Sequence, residues 1–155
     1  MLVEKNEYIL IGSDISSSLV SIIRSLKGFN HYSFVTATRI PDSLHIAKSL
    51  APALLIFYFR NPQDLVHTLC KHKSISTTPI LCLTRSHVTM DVSNTDLIVF
   101  TQSYESAIRD HLLKNNVKSI LSLTHKLKRS IAISSVTHKT PQASFLNQNK
   151  NLARY

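Results

Sequence analysis

The chain has 155 residues, 43% of them hydrophobic and 17% charged, with 18 basic and 9 acidic side chains. That length suits one compact domain with an appendage, and the composition is too apolar for a disordered chain and, with two glycines, too glycine-poor for a fibre. The longest apolar run, Ala53 to Phe59, has seven residues, far short of the roughly 20 that a bilayer-spanning helix needs. The N-terminal MLVEKNEYIL has no basic region leading into a long apolar core, so no secretory signal is read there. Cys70 and Cys82 are too few for a disulfide framework and read as reduced thiols, which sets the expectation of a cytoplasmic protein.

The positive charge is concentrated toward one end. Residues 1–115 carry 11 basic and all 9 acidic groups, a net of +2, whereas residues 116–155 carry 7 basic groups and no acid. A near-neutral body, residues 1–115, followed by a basic extension, residues 116–155, is therefore expected. Such an extension is either a solvated flank or an attachment to a polyanion.

In chain order, Tyr8 to Ile11 predicts a strand running into the turn residues Gly12-Ser13-Asp14. Apolar residues at 15, 19, 22, 23 and 26 predict a helix over Ser16 to Leu26, with Gly28 placed where a helix end calls for positive φ. Ser33 to Ala37 is rich in β-formers. Ile40-Pro41-Asp42 opens a second helix through Leu44, Ala47 and Leu50, stopped by Pro52. Ala53 to Phe59 reads as a central strand buried on both faces. A third helix is expected over Pro62 to Lys73, with Leu65, Val66, Leu69 and Cys70 inward, followed by strands at Pro79 to Leu83 and Asp96 to Phe100. Arg85 to Thr95 is weakly patterned, and Tyr104 to Leu113 predicts an amphipathic helix. Strands alternating with helices argue for a doubly wound parallel sheet, whose crevice lies at the carboxyl ends of the strands. Gly12 to Asp14, Tyr58 to Asn61, and Thr84 with Arg85 then share one rim.

Segment order and landmark positions over residues 7–115 resemble the receiver domain of two-component response regulators. The resemblance rests on three stretches. Ile9-Leu10-Ile11-Gly12-Ser13-Asp14 matches the strand that ends in a pair of magnesium-binding acids, with Ser13 replacing the first and Asp14 keeping the second. Pro52 to Pro62 matches the strand carrying the phosphoacceptor aspartate between two prolines, and it places Tyr58 at that position. Pro79 to Thr84 matches the strand ending in the switch threonine, Thr84. The family's lysine–proline pair after the fifth strand is missing, with Phe100 or Thr101 at the lysine position. The resemblance implies a three-layer α/β/α flavodoxin-like fold with five parallel strands in order 2-1-3-4-5.

A carboxylate becomes an acyl phosphate because it is an ionised nucleophile held beside Mg²⁺. A tyrosine phenol is neutral at pH 7 and a poor ligand for a hard cation. Ser13, Asp14, Tyr58, Thr84 and Thr101 thus mark a degenerate pocket, and a pseudo-receiver that is not phosphorylated on aspartate is expected. Tyr58 reads as an aromatic plug rather than a phosphorylated hydroxyl, Asp14 as the N-cap of the first helix rather than a metal ligand, and Thr84 as a hydroxyl capping a strand end rather than a working switch. His67, Cys70 and His72 fall short of a four-ligand zinc site. No Gly-x-Gly loop is present for a dinucleotide, and no nucleophile–base pair emerges, so neither a cofactor nor an enzyme is expected. The eight histidines are scattered, as solvated surface residues would be.

In the extension, Val117, Ile120, Leu121, Leu127 and Ile131 fall near one helix face and Lys118, Lys126, Lys128 and Arg129 near the other. From residue 134 onward polar residues dominate. The function expected is non-catalytic signal transduction through a protein partner, by way of the face that the family uses, about residues 86–113, here Tyr104, Ile108, Arg109 and Leu112. Self-association is compatible with this. The alternative is a DNA-binding regulator whose body dimerises and whose basic extension contacts nucleic acid.

Overall fold

A computed structural model describes residues 7–69, 71, 78–85 and 97–134, with backbone alone for Val66 and residues 127–134. The strands are β1 (Glu7–Ser13), β2 (Tyr32–Ala37), β3 (Leu54–Tyr58), β4 (Ile80–Thr84) and β5 (Val99–Ser103). The helices are α1 (Ser16–Ser25), α2 (Ile40–Leu50), α3 (Pro62–Leu69), α4 (Tyr104–Ile108) and α5 (Leu113–Ser134). The sheet is wholly parallel, in order β2-β1-β3-β4-β5. This is the expected doubly wound, flavodoxin-like architecture, and its strand order reverses between β1 and β3.

Period-two alternation sorts the side chains into two cores. Leu10, Leu55, Phe57, Ile80, Cys82 and Val99 pack with Leu44 and Ala47 of α2 and Leu65 and Leu69 of α3. Ile9, Ile11, Leu54, Ile56, Leu81, Leu83 and Phe100 face the other way, onto Ile22 of α1, Ala107 of α4 and Leu113 and Val117 of α5. Every residue of β3 and β4 is buried, which is why those strands read as unbroken apolar runs.

Local chemistry fixes the element ends. Gly28 has φ +103 after α1, as its position predicts. Asn61 caps α3, its side-chain oxygen accepting the Asp64 N–H at 3.3 Å, with Pro62 in the first turn. α2 ends on Ala51 at φ 46, a left-handed conformation held by an alanine.

Two sequence expectations are corrected. The fifth strand is not Asp96 to Phe100 but Val99–Ser103. As an edge strand it needs no apolar side chain at its far end, so Thr101, Gln102 and Ser103 extend the pairing with β4. The helix expected over Tyr104 to Leu113 is two helices, α4 and α5, broken where His111 takes φ 54. Histidine is among the residues that tolerate that region, and no proline or glycine announces the break. α5 then runs without interruption across residues 115 and 116, and Val117, Ile120 and Leu121 are buried in the core. Residues 86–96, Cys70, His72 and the segment from 135 lie outside the described residues, as do the side chains of Val66, Leu127 and Ile131.

Two substitutions should move stability in opposite directions. A Cβ on Gly12 would lie 2.7 Å from Cδ1 of Phe57 and 2.8 Å from Oγ of Ser43, and both side chains are fully buried. Gly12→Ala should therefore cost about 1–3 kcal/mol in urea denaturation. Ala51→Gly should raise stability by about 0.5–1 kcal/mol by relieving the left-handed alanine.

Candidate functional site

The carboxyl ends of β1, β3 and β4 and the start of α4 form the rim on which the sequence places its candidate residues. Ser13 stands level with Tyr58 across β1 and β3, and Thr84 level with Ser103 across β4 and β5. The structure thus brings Ser13, Asp14, Tyr58 and Thr84 to one end of the sheet. Thr101 lies two residues before the end of β5, level with Cys82, and Phe100 is buried in the core beside α4 and α5.

Ser13, Asp14 and Tyr58 are each engaged locally. Ser13 is fully buried; its Oγ accepts the Ile15 N–H at 3.1 Å and donates to the Ile15 carbonyl at 3.4 Å. The capping expected of Asp14 is not made, because Ile15 occupies the N-cap position of α1 and no side chain caps it. Asp14 Oδ1 instead accepts the backbone N–H of Arg60 at 3.2 Å, joining the loop after β1 to the loop after β3. The geometry explains the change: β1 and β3 are hydrogen-bonded neighbours, so a short carboxylate just past β1 reaches the loop that leaves β3.

Tyr58 is 7% exposed, and its ring stacks on Tyr104 with centroids 4.2 Å apart and planes 11° from parallel. The carboxyl end of β3 is therefore filled by one aromatic ring and covered by a second, contributed by the first residue of α4. Sequence reasoning missed this pairing. The sequence places Tyr104 on a helix and on the expected partner face, and nothing in the spacing ties residue 104 to residue 58.

The charge around the rim is also changed from a metal site. Asp14 is the carboxylate just past β1, Glu105 is exposed in the first turn of α4, and Arg60 and Arg85, just past β3 and β4, are both exposed. At the ends of β1 and β3 a divalent cation would meet the Asp14 carboxylate beside Ser13 and Tyr58, which does not supply the several oxygen ligands that Mg²⁺ takes. No group of three or more His, Cys, Asp or Glu that could hold a metal occurs among the described residues, and Cys70 and His72 lie outside them. Burial pushes the Cys82 thiol up to about 12, so it is neither a nucleophile nor a ready ligand at neutral pH. The Gln102 amide oxygen, on β5 level with Leu83, is buried without a hydrogen-bond partner among the described residues.

On the face expected to meet a partner, Tyr104 and Ile108 are half-buried against the core, whereas Arg109 and Leu112 are exposed, Leu112 by 43%. In the extension, Lys118 and Lys126 are exposed on α5. Lys128 and Arg129 belong to the same helix, but their side chains lie outside the described residues. Among the described residues no helix is long and apolar enough to cross a membrane.

Sheet order and flanking helices define a flavodoxin-like fold, the fold that receiver domains share. A response regulator receiver domain protein from Methanospirillum hungatei superposes with a TM-score of 0.61 at 19% identity, covering 79% of this chain and 98% of the other. A putative response regulator from Chloroflexus aurantiacus superposes with a TM-score of 0.56 at 22% identity, covering 76% and 99%. The same fold also matches 18% of the lysine decarboxylase LdcF of Francisella novicida, with a TM-score of 0.60 at 9% identity over 77% of this chain. No protein-family model and no curated protein matches the chain in sequence. At these identities the likeness establishes the fold, and a fold shared with an enzyme does not assign a function.

Tyr58→Ala should destabilise the domain by about 3–4 kcal/mol, from reduced burial and the cavity left behind. A double-mutant cycle with Tyr104→Ala should return a coupling of about 0.5–1.5 kcal/mol. A coupling near zero in chemical denaturation would show that the stack contributes nothing beyond the burial of each ring.

Proposed function

We propose that the chain is a non-catalytic signalling module of the receiver type, acting through a protein partner and not through aspartyl phosphorylation. One observation carries this reading: Tyr58, at the position matching the phosphoacceptor, is buried and stacked on Tyr104. An acyl phosphate needs an ionised carboxylate beside a bound cation; here the position holds a phenol ring, and the remaining carboxylate holds a backbone N–H. The same stack ties the pocket position to the first residue of α4, so the partner face of Tyr104, Ile108, Arg109 and Leu112 begins at the ring that covers it. Binding of a partner, or of a second copy of the chain, at α4 takes the role that phosphorylation plays in an active receiver. A cytoplasmic setting accords with this role.

A second reading, a regulator that contacts DNA, is favoured by α5. That helix contains Lys114, Lys118, Lys126, Lys128 and Arg129 and no acidic residue.

Incubation with acetyl phosphate and Mg²⁺ should leave the chain unlabelled, as judged by intact mass and by phosphate-affinity electrophoresis. A hydroxylamine-labile adduct on an aspartate, abolished in Asp14→Asn, would overturn the proposal.

A further inference from the structure

The cations of α5 are not alone on their side of the sheet. α1 and α5 pack on the same face, and Lys114 Nζ lies so near Gly28, just past α1, that a Cβ there would meet it at 2.8 Å. Arg24 and Lys27 at that end of α1 are exposed, as are Lys118 and Lys126 on α5. Residues 15–31 and 113–134 contain no acid. None of these five side chains forms an ion pair among the described residues. The acids of the same layer, Glu105 and Asp110, lie on and just after α4, so the cations of α1 and α5 raise the local potential and a polyanion laid across them lowers it.

We infer that the α1–α5 face is a docking surface for the phosphate backbone of duplex nucleic acid, with the body and the extension contributing together. The inference rests on the second reading above and goes past it, because it recruits Arg24, Lys27 and Lys114 from outside the basic extension. Three features favour a duplex backbone. α5, with 22 residues, is about 33 Å long, close to one turn of B-form DNA, roughly 34 Å. Ser119 and Ser122 line a shallow depression between Lys118 and Lys126, where hydroxyls can donate to phosphate oxygens beside the ammonium groups. The aromatic side chains packed near this end, Phe29 and Tyr32, are half-buried and meet edge-on, so among the described residues of this face no exposed ring is offered to unpaired bases.

The test is fluorescence anisotropy of an end-labelled, mixed-sequence duplex of about 20 base pairs, long enough for the interactions proposed, titrated with the 155-residue chain over a salt series. Circular dichroism checks that each variant is folded. Log affinity should fall linearly with log salt, and Arg24→Gln/Lys27→Gln and Lys114→Gln/Lys118→Gln should each reduce the slope by about 1–2, at roughly 0.9 for each phosphate no longer neutralised. Lys48→Gln/Lys71→Gln, at exposed positions beside the opposite layer, should leave the slope unchanged. An inert Arg24/Lys27 pair beside an active Lys114/Lys118 pair would overturn the two-helix face and leave the α5 reading in place. A slope reduced equally by the Lys48/Lys71 pair would replace a face with diffuse attraction and overturn the inference. Tighter binding to the single strand, or to phosphatidylserine vesicles with the same residue dependence, would hand the face to that partner instead. No duplex binding at low salt would sink both the inference and the reading on which it rests.

Discussion

The burial of β3 on both faces is the constraint on which the rest of the molecule depends. A strand with no solvent-facing side chain needs a helix layer on each side and a hydrogen-bonded neighbour along each edge. β1 and β4 supply the edges, α2 and α3 one layer, and α1, α4 and α5 the other. The same demand for close packing reaches into β1, where Gly12 leaves the space that the Phe57 ring occupies. Because burial persists to the last residue of β3, the side chain that emerges at the sheet's carboxyl end is itself enclosed. Tyr58 is the outermost layer of the core as much as it is part of a rim.

That enclosure changes what the rim can do. In an open rim, carboxylates gather a cation and water; here an aromatic ring closes the space and the Asp14 carboxylate holds the Arg60 N–H. The energy available at the site is that of ring packing, and it goes into fixing where α4 begins. Any displacement of the start of α4 is therefore felt directly at the end of β3, through the Tyr58–Tyr104 contact.

Much of this was legible in the residues. The apolar runs at Ala53 to Phe59 and Pro79 to Leu83 announce central strands, and the glycine at 28 and the prolines at 41 and 62 mark helix ends by conformational necessity. Legibility failed where the deciding interaction was tertiary. β5 continues into Thr101, Gln102 and Ser103 because β4 is there to pair with them, and polar side chains on an edge strand leave no periodic signal. The break at His111 has no breaker residue to betray it. Asp14 has the ordinary chemistry of an N-cap, and only the adjacency of β1 and β3 gives it a nearer donor. The Tyr58–Tyr104 stack joins positions 46 residues apart, beyond the reach of any local pattern.

α5 has a consequence of a different kind. Its first turns are clamped into the core by Leu113, Val117, Ile120 and Leu121, and the helix continues unbroken to Ser134. Thirteen residues past the last clamp make a rod of about 20 Å. A rod held at one end is a lever: a tilt of about 10° at the clamp, the size of a small repacking, carries its free end through roughly 3 Å for that length. The cationic helix thus converts a change in how the domain's core is packed into a displacement at its far end, and a load on that far end presses back on the core.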